Sequence, residues 1–132
     1  MHLAIRKNTT TVALLLILAI AAGLNFYGID FPLGYHPDET IKVHFIQNNS
    51  QNFFHPIFIL QVIRTANLIF GFQSEQQIAV LGRATTALMG VAIVFLTYKI
   101  SEQQLPRRYA LGAALLTAVA PGTVIHSHYL KE

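Results

Sequence analysis

The chain has 132 residues, 53% of them apolar and 11% charged, with a mean hydropathy of +0.47. An average soluble domain is about 25% charged, so this composition excludes a surface made wholly for water and leaves room for a few membrane spans. Net charge is +3, but the basic residues sit singly or in pairs beside apolar runs, which is the habit of a membrane protein and not of a nucleic-acid binder.

No residue between Lys7 and Asp30 is charged, and 11–29 is almost entirely apolar. At roughly 1.5 Å per residue such a helix reaches about 28 Å, the thickness of a hydrocarbon core. A signal peptide competes for this segment, with Arg6 and Lys7 as its basic start and Ala19-Ile20-Ala21 as a cleavage site. In both readings the residues after Ile29 emerge on the outer side.

Residues 30–77 are then expected to form an outer loop. Within it, Pro37-Asp38-Glu39 signals a helix start, since proline suits the first helical position and acids suit the positive end of the helix dipole. That helix is expected over 38–48, with Ile41, Phe45 and Ile46 on one side. Asn49 to Asn52 is a polar break, and Asn48-Asn49-Ser50 matches a glycosylation sequon. The apolar run 56–72 carries Gln61, Arg64 and Thr65 on one helical face, the pattern of a helix lying in the membrane interface.

A second span is expected over 78–98, with Arg83 near the outer surface and able to reach headgroups or a polar cavity. A cytoplasmic loop at 99–108 carries Lys99, Arg107 and Arg108, and a third span covers 109–125. Its alanines and Gly112 permit close helix packing, and Pro121-Gly122 weakens its outer end. With three spans, Arg6, Lys7, Lys99, Arg107 and Arg108 share the cytoplasmic side, as the positive-inside rule prefers. The expected fold is therefore an all-α membrane protein of three transmembrane helices in a cell (inner) membrane, with its N-terminus cytoplasmic and an outer loop containing interfacial helices.

The absence of cysteine excludes disulfides and thiolate metal or redox chemistry. His36, His44, His55, His126 and His128 lie on the outer side, yet nothing in their spacing makes three or four ligands converge, so no metal is expected. The acids are more suggestive. Held directly after a span beside Tyr35 and His36, a carboxylate of the Asp38-Glu39 pair can take a proton from an acceptor hydroxyl if its pKa and geometry fit.

The order of a first span, an aromatic-His-Pro-Asp-Glu turn (35–39), His55-Pro56, Gly82-Arg83, Pro106-Arg107-Arg108 and His126-Ser127-His128-Tyr129 resembles the amino-terminal part of GT-C glycosyltransferases. The likeness is to the protein O-mannosyltransferase and aminoarabinose-transferase group, family 39 and its relatives. It implies transfer of a sugar, with inversion, from a polyprenyl-phosphate donor to an acceptor protein hydroxyl or lipid at the outer face, with no cofactor. Asp38 would be the general base and Glu39 its supporting partner. Arg83 and Lys131 would be candidates to balance the departing phosphate, with His55 a third candidate on the substrate side. Members of the group carry further spans and another acid beyond the stretch matching 127–132. The expectation is therefore a fragment that is inactive by itself. The competing reading is a small non-catalytic membrane protein that binds a lipid carrier or a partner's transmembrane helices.

Overall fold

A computed structural model describes residues 2–48, 50 and 57–130, with side chains from Thr9 onward. His55, Lys131 and Glu132 lie outside the described residues. Six helices follow in order: α1 His2–Phe26, α2 Pro37–Gln47, α3 Ile57–Phe70, α4 Glu75–Gln104, α5 Arg107–Val119 and α6 Pro121–Ser127. Among the described residues the regular structure is entirely helical.

Two helices, Thr9–Phe26 within α1 and all of α4, are long and apolar enough to cross a membrane, and α5 with α6 makes a third if the bent pair is one span. The first ends earlier than 29 because Gly28 adopts a φ of +65°, which turns the chain out of the helix. α4 is longer than the expected 78–98. It begins with a capping box in which the Ser74 hydroxyl accepts from the Gln77 amide, and the Gln77 side chain accepts from the Ser74 amide. Its 30 residues extend about 45 Å. The loop expected at 99–108 is therefore largely helix, and only Leu105 and Pro106 separate α4 from α5. Nothing in 99–104 opposes helix, and Pro106, whose neighbour is pushed to extended backbone, makes the stop. The third span is broken: α5 and α6 meet at 53° across Ala120, where Pro121 lacks the amide to continue the ladder.

The three long elements pack through small residues. Ala110, Ala114 and Ala118 recur every four residues on α5 and are buried with Ile17 and Ala21 of α1 and Val94 and Tyr98 of α4. Leucines such as Leu16, Leu88 and Leu116 point outward on the same helices, a distribution that suits contact with lipid. A second apolar core lies at the start of α4, where Val43 and Ile46 of α2 and Ile59, Leu60 and Ile63 of α3 meet Ile78 and Ala79.

The α2 face differs from expectation. Its buried side is Glu39, Lys42, Val43 and Ile46, while Ile41 is exposed. The two charged side chains are buried because each has a partner, and hydrophobic patterning alone does not register that. On α3, Gln61 and Thr65 are exposed as the pattern suggests, but Arg64 turns inward and donates to the carbonyls of Phe45 and Ser50.

Candidate functional site

Four segments converge where α1 ends, α2 begins, α4 enters its third turn and α6 gives way to 128–130. Proline at the first helical position and extended backbone at His36 start α2, so its first turn presents Asp38 and Glu39 about 100° apart. That rotation separates them. Asp38 keeps a 58% exposed side chain, with its carboxylate 3.9 Å from the His36 ring. Glu39 is fully buried.

The Glu39 carboxylate meets Arg83 in a two-pronged contact, Nε to Oε1 at 3.1 Å and Nη2 to Oε2 at 2.7 Å. Oε1 also accepts the Leu130 backbone amide at 2.8 Å. Arg83 Nη1 donates to the carbonyls of Ile29 and Phe31. The guanidinium carbon lies 3.5 Å from the centroid of the Phe31 ring, a cation–π contact. Four of the five N–H groups of Arg83 thus have acceptors. Such saturation is what makes a buried pair tolerable, since removing two charges from water costs several kcal/mol per ion unless their hydrogen bonds are completed.

Arg83 was expected at the outer surface, reaching headgroups or phosphate. It is fully buried, and its hydrogen bonds go to Glu39 and to backbone carbonyls. The reason is geometric: Gln76, two turns earlier on α4, accepts from the Leu33 amide and donates to the Phe31 carbonyl, which draws the post-α1 turn over Arg83. Glu39 and Arg83 are therefore brought together, and Asp38 stands apart from them.

The segment 127–130 is clamped by its backbone. Leu130 donates its amide to Glu39, and its carbonyl accepts from Lys42 Nζ at 3.0 Å. The Thr86 hydroxyl lies 3.0 Å from the Tyr129 carbonyl and 2.9 Å from that of Arg83, its single proton serving one at a time. The His128 ring lies with Nδ1 2.7 Å from the Val124 carbonyl and Nε2 2.8 Å from that of Tyr27, a neutral ring donating to one of them at a time. The Leu130 side chain sits over Gly82, where an added Cβ would come within 2.8 Å of it.

Beside this clamp lies an aromatic patch. Tyr129 is 5.7 Å from Phe31 and 5.2 Å from His36, ring to ring, and Tyr35 packs edge-on against Phe31. A cleft of about 360 Å³ opens there, walled by Phe31, Tyr35, Ile125, His128 and Tyr129. His36 connects this patch to Asp38.

Sequence reading singled out Asp38, Glu39, Arg83, His36 and Tyr129, and missed Phe31, Lys42, Thr86 and the Leu130 amide. Lys42 follows Glu39 by three positions and Thr86 follows Arg83 by three, so each shares a helical face with a charged residue; that spacing was the available signal. Among the described residues no three His, Cys, Asp or Glu side chains converge as metal ligands would. Set against protein-family models, curated proteins and solved structures, the chain matches none of them.

Proposed function

We propose that the chain carries the base-bearing portion of a membrane glycosyltransferase of the GT-C type. The observation that supports it is the division between adjacent acids: Glu39 is saturated by Arg83 and Leu130, while Asp38 keeps an accessible carboxylate at the same turn. In this reading Asp38 on the outer face takes the proton of an acceptor hydroxyl. The acceptor oxygen bonds to the anomeric carbon, that carbon's bond to the phosphate oxygen breaks, and polyprenyl phosphate leaves. Glu39 and Arg83 hold α2 in place, so Arg83 positions the base and does not receive the phosphate. Lys131 and His55 are the candidates left for that task, and both lie outside the described residues. The aromatic cleft offers flat apolar faces suited to a sugar ring or a prenyl chain.

The test compares membranes from cells expressing the chain, its Asp38→Asn variant, or neither, each supplied with polyprenyl-phosphate-linked sugar. Transfer above the empty-membrane level that Asp38→Asn reduces by about 10²–10⁴-fold supports the base assignment. Transfer unchanged by that substitution overturns it. No transfer by the wild type fits both a portion inactive by itself and the non-catalytic reading; retention of polyprenyl phosphate as tightly without its sugar as with it then favours the latter, in which the same cleft holds a lipid carrier.

A further inference from the structure

The other end of the bundle carries its own cleft. From Arg83 to Lys99 α4 rises about 24 Å, and at that level α1, α4 and α5 leave an opening of about 310 Å³. Its rim is polar: Thr10 and Thr11 from α1, Tyr98, Lys99 and Glu102 from α4, and Arg107 from the first turn of α5. Its floor is apolar, made by Leu14 and Phe95. Two cations face one carboxylate. Glu102 is committed to Lys99, with which it forms an ion pair. Arg107 makes no hydrogen bond or ion pair among the described residues and is exposed. One positive charge at the rim therefore stands uncompensated, above walls that continue into the apolar body of the helices.

We propose that this cleft seats the phosphodiester of an anionic phospholipid, with Arg107 as the principal phosphate ligand and Leu14 and Phe95 against the first part of an acyl chain. The inference rests on α1 and α4 spanning a membrane, not on the transferase reading. The ligand chemistry follows from the gradient of the lining: cationic and hydroxyl groups at one level and hydrocarbon immediately below match a headgroup joined to a tail. A free phosphate would use only the upper half. Basic pockets between transmembrane helices commonly hold acidic headgroups, and arginine suits phosphate oxygens through its planar fork of donors. The volume is at the lower end of the usual range of about 300–1,000 Å³ for ligand sites.

The experiment uses the full chain purified in a neutral detergent, with retention of added phosphatidylglycerol or phosphatidylcholine read by native mass spectrometry. Arg107→Gln is compared with Arg108→Gln, which removes the same charge from an exposed arginine stacked on Tyr109 outside the cleft. The expected result is preferential retention of phosphatidylglycerol, weakened about tenfold or more by Arg107→Gln and little changed by Arg108→Gln. Helix content by circular dichroism should be the same for both variants. Equal loss in the two variants overturns the proposal in favour of diffuse surface charge. Displacement of the lipid by inorganic phosphate alone overturns it as well, because the site would then read an anion and not a lipid.

Discussion

Asp38 and Glu39 are adjacent in the chain, yet one carboxylate is 58% exposed and the other is sealed against Arg83. Substitution should separate the two roles cleanly. Glu39→Gln leaves the Arg83 charge buried without a counter-ion and should cost about 3–5 kcal/mol. Asp38→Asn removes an acid only from an exposed first helical turn and should cost less than about 1 kcal/mol. Unfolding midpoints of the detergent-solubilised variants will show the order, and similar losses for both would argue against it.

Replacing both partners of the buried pair should hurt less than replacing one. Arg83→Met alone strands the Glu39 carboxylate, whereas Arg83→Met with Glu39→Leu removes both charges together, which is often neutral for a buried pair. Recovery should stop short of wild type. The Leu130 amide loses its acceptor in the double variant, a cost of about 1–3 kcal/mol for a buried donor. A double-mutant cycle measures the difference directly.

Gly90 lies where α1, α4 and 127 press closest. A Cβ there would stand 2.3 Å from Ser127 Oγ and 2.6 Å from Asn25 Nδ2. Both side chains are buried, and the Ser127 hydroxyl is held by the Thr123 carbonyl. Gly90→Ala should therefore destabilise by about 1–3 kcal/mol. Gly112→Ala, where a Cβ meets nothing within 4 Å, should be tolerated or slightly stabilising. Thermal melts followed at 222 nm will distinguish them.

Sidedness can be read because the chain has no cysteine of its own. Thr40→Cys on α2 and Gln103→Cys near the end of α4 are both exposed positions. A membrane-impermeant maleimide added to intact cells should label the first. It should label the second only after permeabilisation. The reverse pattern would place Asp38 on the inner side and remove the proposed outer-face chemistry.

How much of this was legible in the sequence depends on the kind of force involved. The charge-free runs mark α1 and α4, and Pro37-Asp38-Glu39 marks the start of α2, because lipid contact and helix capping leave local traces. The buried face of α2 left none. It is built from Glu39 and Lys42, whose partners are an arginine 44 positions away and a backbone carbonyl 88 positions away. Arg83 looked like a surface anchor because its neighbours on α4 are apolar, and its burial depends on Glu39 together with the turn that Gln76 draws over it. Pro106 set the end of α4 and Pro121 the bend of the third element more reliably than charge did.

The bond between Glu39 and the Leu130 amide also imposes a timetable. The two are 91 positions apart, and Arg83 is 44 positions beyond Glu39. At about 5–20 residues per second of synthesis, Glu39 waits roughly 2–9 s for its arginine and 5–18 s for Leu130. Until Arg83 is made the Glu39 carboxylate has no counter-ion, and until Leu130 is made its Oε1 lacks the backbone donor. The turn bearing Asp38 is consequently made before both of the partners that fix its neighbour Glu39.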